Sequence, residues 1–421
     1  MTVRFLGAAA LAMPLVLAHP AAAAPAAFGE PVPIADGLTF DPILDARVRW
    51  ENVDTPALDA DAVTVRMRGG FEVKHAPSNL SFLAEAEGTL GILNDYNGFP
   101  FAATSHQRRP EYAVVADPQT VELNRLQLQY KTKQAALTIG RQRINLDDQR
   151  FVGSVGWRQN EQTFDAVRGE ASLGPVSLDA TYSIGQRTIF GSDAGPRQGL
   201  GGDFVFLGAG AKLGPVTAKA FTYLLDYDET FSFANSSQTY GGRATASFVL
   251  TPKAKLNLAA SYARQSDYGS NPIGYSADYI AAEGGLSYQG LTALGGYELL
   301  GGDAGAGRAF QTPMATLHKF NGWADLFLTT PQTPGYGGLQ DIYGGLAYKF
   351  DGVKALPGLN AAVVYHSFDS DYGDVHYGTE WDASVGVKLG KVGLLAKYAD
   401  YQARGFGVNT RKFWLQAEYA F

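Results

Sequence analysis

Cysteine is absent from the 421 residues, so neither a disulfide scaffold nor a thiolate-held zinc site is open to this chain. Histidine is scarce at six, and only His366 and His376 come even loosely near a ligand-like spacing. Charge is sparse too. Asp, Glu, Lys and Arg make up 18%, with 34 bases against 41 acids and a net charge of −7. That balance argues against a dedicated nucleic-acid binder, which would carry a basic face. Helical periodicity is sustained nowhere. Beyond the first two dozen residues no run approaches the ~18 apolar residues of a spanning helix. Yet 46% of the chain is apolar, too much for disorder. A mean hydropathy of −0.10 fits membrane strands, whose apolar and polar residues alternate and cancel.

The N-terminus carries a message of its own. Arg4, the apolar stretch Phe5 to Leu17 and the small residues Ala21 to Ala24 predict a secretory signal peptide over 1–24. A periplasmic segment, 25–38, and a barrel, 39–421, are expected to follow.

After Thr39 the hydrophobic period is two. Leu44, Ala46, Val48 and Trp50 share one face, against Asp45, Arg47, Arg49 and Glu51 on the other. Val63, Val65, Met67, Phe71 and Val73 oppose Arg66, Arg68, Glu72 and Lys74. About eighteen such segments follow one another, the last being Lys412 to Phe421. Their connections alternate between tight turns, such as Gly174-Pro175 and Gly390-Lys391, and long Gly/Asp-rich loops, such as 91–120, 145–163 and 301–340. Segregating loop length by end is the signature of an outer-membrane β-barrel. The predicted fold is therefore an all-β, transmembrane antiparallel barrel of about eighteen strands. Its short turns would face the periplasm and its long loops the exterior.

Cost decides which face meets lipid. An outward Arg at the bilayer midplane costs ~2–4 kcal/mol, so the charged phase must point inward. Expected lumen residues are then Arg47, Arg49, Arg66, Arg68, Lys74, Arg125, Lys131, Arg168, Arg243 and Lys397. Wall acids such as Asp45 and Glu72 would offset part of their charge. Trp50, Tyr130, Tyr288, Tyr348, Tyr365, Trp381, Tyr398 and Tyr419 fall on the outward phase near strand ends, as interfacial girdles require. Tyr419 and Phe421 form the aromatic ending read as an assembly signal.

One stretch is distinctive. It runs Gly140-Arg141-Gln142-Arg143, Asp148-Gln149-Arg150, Gly153, Trp157 and Phe164-Asp165, with a second block, His318-Lys319-Phe320-Asn321-Gly322-Trp323, downstream. These blocks resemble the alginate export domain family of bacterial outer-membrane channels. The family's namesake is an eighteen-stranded, arginine-lined channel that passes a polyuronate. The resemblance implies that architecture, with Arg141 and Arg143 in its basic lining, but does not carry the substrate.

The expected function is diffusion of a hydrophilic, anionic solute along inward arginines, either in alginate-type export or as an uptake porin for small organic anions or oligosaccharides. A barrel hydrolase with His366 or His318 at the rim and a surface adhesin using the loops are the lesser alternatives. No enzyme is expected, because Tyr365-His366-Ser367 lacks a nucleophile elbow. No cofactor or metal is expected either. The expected partners are outer-membrane lipid and lipopolysaccharide, the barrel assembly machinery and the solute itself. Finally, loops 91–120 and 301–340 exceed the ~12–15 residues usual for structureless connections. At least one of them should fold over or into the bore.

Overall fold

The structure, a computed structural model, describes residues 29–421; the expected signal peptide lies outside them. Nineteen antiparallel strands form one sheet. One of these, Val32–Ala35, is a short flap, and the other eighteen close into a ring. The ring opens with Leu38–Asp54, Asp59–His75, Leu80–Asp95, Thr120–Lys131, Ala135–Gln142 and Thr163–Leu173. It continues through Val176–Arg187, Gly199–Leu213, Val216–Tyr227, Ser237–Thr251, Ala254–Asp267 and Ser276–Tyr288. Leu291–Leu300, Leu339–Lys349, Asn360–Asp369, His376–Leu389, Val392–Ala403 and Thr410–Ala420 complete it. Each strand pairs with its sequence neighbours, and the last pairs with the first from Asp45 opposite Ala420 to Asp54 opposite Arg411. Closure satisfies every strand edge, the condition for backbone to sit in hydrocarbon.

The alternation of the sequence becomes the two faces of this wall. Val48 and Met67 are exposed outward at 48% and 54%, while Arg49 and Arg66 between them are fully buried inward. Tyr130, Tyr288, Tyr348, Tyr365, Trp381 and Tyr398 all lie on the exposed outer face. Short turns gather at one end, where Gln289 and Gly290 supply the two positive φ values (46° and 89°) of a tight hairpin. Long loops gather at the other. The flap lies against Leu38–Phe40, where the first barrel strand extends past its pairing with the last.

The interior is not an open bore. Segments 143–162 and 301–338, which join consecutive barrel strands, fold inside the ring. Ile144, Leu146 and Val152 from the first, and Phe310, Met314, Ala324 and Phe327 from the second, bury against inward Phe164, Phe206, Phe221, Tyr279, Phe368 and Tyr401 of the wall. The two segments also touch each other, with Val152 bridged to Met314 and Gly153 N–H donating to the Met314 carbonyl at 2.9 Å.

Of the two long loops expected to fold over or into the bore, 301–340 does enter it; its companion there is 143–162, whose course the sequence did not announce. The 91–120 loop packs at the long-loop rim instead. Its Ala113 N–H donates to Asp59 O, and Tyr96, Ala113 and Val115 bury against Val53, Ala60 and Ala62 of the first two strands.

Candidate functional site: the inner arginine wall

Arg47 and Arg49 alternate inward on the first barrel strand, and Arg66 and Arg68 do so on its hairpin partner. Arg47 stands directly opposite Arg66 in the register. Four guanidinium groups therefore share one patch of wall, as the sequence predicts. The patch is not bare. Segment 156–161 lies on it. Arg47 Nη1 donates to three successive carbonyls, Gly156, Trp157 and Arg158, at 3.1–3.2 Å. Arg49 Nη2 also donates to Trp157 O, and its guanidinium stacks 4.0 Å above the Trp157 ring. Gln159 donates to Thr64 Oγ1 at 2.8 Å, and Asn160 accepts from Thr89 Oγ1 at 2.6 Å.

Carboxylates close the rest of the patch. Glu418 bonds Arg47 at 3.0 Å, and Asp117, from the rim loop, reaches Arg49 at 3.4 Å. Asp45 clasps Arg66, and Glu87 clasps Arg68. Glu161 joins Arg68 (2.8 Å) to Arg143 (2.5 Å). Arg125 is held by Glu85 through a two-pronged contact of 2.8 and 2.6 Å. Burial pushes the Glu161 carboxyl up, but Arg68 and Arg143 more than reverse this and hold it below the usual range. Acids match bases nearly one for one, so the excess positive potential expected from the four wall arginines is largely cancelled. What persists is a donor surplus. Arg47 Nε and both Nε and Nη1 of Arg66 are buried with no acceptor among the described residues.

Beside the patch lies an aromatic cage. Lys397 Nζ sits 3.7 Å from the Trp323 ring centroid, 4.1 Å from Trp157 and 5.5 Å from Trp414. The same ammonium is 2.8 Å from His318 Nε2. His318 stacks on Trp157 at 4.3 Å with its Nδ1 2.7 Å from Asp325. The imidazole is thus neutral, donating from Nδ1 to the carboxylate and accepting at Nε2. Burial drives its pKa well below the ordinary value; Asp325 opposes this and Lys397 adds to the fall. Asp325 is itself kept well below the carboxylate range, against its burial, by His318, Lys412 and Arg158. Arg158 ties its segment to the wall and to the second inward segment, bonding wall Glu51 at 3.1 Å and Asp325 at 2.7 Å. Burial alone would weaken that cation, but Glu51, Asp117 and Asp325 hold its pKa above the usual value.

The other motif residues are structural. Arg150 is fully inside, bonding Glu298 at 2.7 Å, Asn321 at 3.0 Å and Thr312 at 3.3 Å, which pins the two inward segments together. Asp148 pairs with wall Arg243 at 2.8 Å. Gly153 is dictated by contact, since a Cβ there would meet Thr316 Oγ1 at 2.2 Å. Gly140 carries φ +113° under the Leu126 carbonyl. Gln142 caps the Ala166 carbonyl at 2.9 Å, and Phe164 is core.

Arg141 is a correction. It continues the outward phase of Leu137 and Ile139, opposite Leu126, and grips Asp165 by two 2.8 Å bonds. A period of two that places Gln142 inside puts its neighbour outside, so Arg141 ties two strands together and does not line the lumen. Of the remaining expected cations, Arg168 pairs with Glu170 at 2.8 Å away from the patch. Lys74 pairs with Asp41 and Glu72 near the short turns, and Lys131 is exposed at a turn. Glu161, Asp117 and Asp325 were not anticipated: each lies in a long loop, where no alternation tells which way a side chain points.

Residues 99–185 match the alginate export family model, in agreement with the resemblance carried by the 140–165 motif. No curated protein matches the chain. Among solved structures, Pseudomonas aeruginosa OpdK with vanillate superposes with a TM-score of 0.70 at 13% identity, covering 92% of this chain and 99% of that one. OccK9 (OpdG) of the same organism gives 0.69 at 14%, covering 92% and 98%. OccK2 (OpdF) in complex with glucuronate gives 0.66 at 15%, covering 91% and 98%. At such identities the likeness establishes the fold, that of an outer-membrane porin-type barrel.

Proposed function

We propose that this chain is an outer-membrane channel for small hydrophilic solutes bearing a carboxylate, which pass along the inner wall formed by Arg47, Arg49, Arg66 and Arg68. The observation that carries this is the guanidinium ladder, which faces inward, keeps three unmatched N–H donors and otherwise bonds acceptors stacked on it. Planar, forked donors of this kind suit carboxylates. Two of the similar barrels hold vanillate and glucuronate, both carboxylates. Between a long polyuronate and a small anion, the filled interior favours the small one, because a polymer would need both inward segments cleared along its whole path. The outer face would meet lipid and lipopolysaccharide, with Tyr419 and Phe421 offered to the assembly machinery.

Liposome flux tests the reading. Glucuronate should enter faster than glucose, which has nearly the same size and no charge. Arg47→Gln should narrow that gap. Equal entry of the two sugars in the unaltered protein would refute the carboxylate preference.

A further inference from the structure

The carbonyl oxygens of Gly156, Trp157 and Arg158 occupy the donor face of Arg47 and Arg49 where an incoming carboxylate would bind. We propose that segment 156–161 is a built-in surrogate for the solute, and that a carboxylate-bearing solute displaces it and so opens the bore. The inference rests on the carboxylate reading above and adds a mechanism of gating to it.

Exchange is favoured by chemistry. A carboxylate makes charge-assisted bonds to guanidinium about twice as strong as those of a neutral carbonyl. Arg47 Nε and the two free Arg66 donors are already in place for the second oxygen and have nothing to give up. The segment that must move is separable from what precedes it. Among the described residues, 156–161 buries no aliphatic or aromatic side chain in the main core, its Trp157 ring lying only partly buried against that core. It follows Gly153 and Gly156, and a Cβ at Gly156 would find its nearest neighbour 3.8 Å away. Its other ties are mainly polar: Gln159 to Thr64, Asn160 to Thr89, Pro118 and Ile189, and Glu161 to Arg68 and Arg143. Two anchors must also yield: Arg158 on Glu51 and Asp325, and the Trp157 ring on His318 and Trp414.

The absence of native cysteine makes a lock simple to install. Thr89 Oγ1 and Asn160 Oδ1 lie 2.6 Å apart, which makes Thr89→Cys with Asn160→Cys the pair for bridging the segment to the wall, its oxidation checked by loss of free thiol. In planar bilayers, chloride conductance through the reduced double variant should rise on adding glucuronate and stay flat with glucose. Oxidation should abolish the rise, and reductant should restore it in the same membrane. As a second measurement, Gly156→Cys in the otherwise unaltered chain should react faster with a small thiol reagent when glucuronate is present. Conductance that ignores glucuronate, or rises equally in the oxidised lock, overturns the gating. So does a Gly156→Cys labelling rate unchanged by glucuronate. The parent reading is judged separately by the flux ratio of glucuronate to glucose, which survives if the solute passes beside a fixed segment.

Discussion

Residues 144–152 and 156–161 belong to one inward segment and are held by opposite means. The first part buries Ile144, Leu146 and Val152, with Phe151 ringed by Phe221, Tyr223, Tyr279 and Phe310 at 5.1–5.9 Å. The second rests chiefly on charged and amide side chains, with Trp157 as its one ring, stacked between Arg49, Lys397 and His318. Apolar contacts have no substitute in an aqueous lumen, because exposing them costs ~25 cal/mol per Å². Polar contacts do have substitutes, since any solute with matching groups can replace them. The first half is therefore a foundation and the second a movable part. Segment 301–338 resembles the foundation through Phe310, Met314 and Phe327, although wall acids also grip its backbone, Glu380 accepting from Ala324 N–H at 2.7 Å.

The largest test of this contrast removes both halves. Replacing 144–161 by a short Gly/Ser turn should raise single-channel conductance several-fold, whereas trimming only the small 304–307 turn should change it little. Equal effects would place the constriction elsewhere. Next in size is the pin between foundations. Arg150→Ala strands Glu298 without its cation, a loss of about 3–5 kcal/mol for a buried pair, and should lower the thermal midpoint in detergent clearly more than Gln159→Ala does. A smaller effect concerns pH. His318 is held neutral, with its pKa depressed from 6.5, so the plugged state binds fewer protons there than the released one. Its stability is full above that value and falls as pH drops through and below it. Asp325, also depressed, adds a further loss only in stronger acid, below its ordinary 3.8. Conductance fluctuations should therefore grow between about pH 7 and 5, and His318→Gln should flatten that dependence. Smallest is Trp157→Leu, which removes the ring beneath Arg49 and Lys397. At roughly 0.5–2 kcal/mol for a cation–π contact, it should raise the open probability modestly without altering the fold.

Strand number, phase and the alternation of connections were legible because a period of two writes the inside and outside of a barrel into every other residue. The four wall arginines and Lys397 followed from that rule alone. The rule stops at Gln142, where the strand ends, and at Arg141 it was overridden by a family analogy that the phase itself contradicts. The plug was illegible for a different reason. Segment length marked 301–340 as needing a place to fold, and 143–162 also exceeds the ~12–15 residues usual for structureless connections, but length does not tell which way a loop turns. Its inward course is set by Arg150 finding Glu298 some 148 positions away, a pairing that no local pattern announces. The charge balance of the patch depended likewise on Asp117 and Glu161, which arrive from loops.

The ring also has a seam, and the seam has a consequence for assembly. Arg47 and its partner Glu418 are 371 positions apart in the chain, so the first strand must wait for nearly the whole chain to be made before its partner exists. Contacts between such distant residues carry a high entropic cost and form late. Glu418 bonds both Arg47 (3.0 Å) and Arg66 (3.3 Å), fastening the final strand to two strands at once. Asp45 lies beside the same Arg66. The wall arginines proposed to meet the solute are therefore also the clasp that completes the barrel, so a substitution made to test transport there tests biogenesis as well.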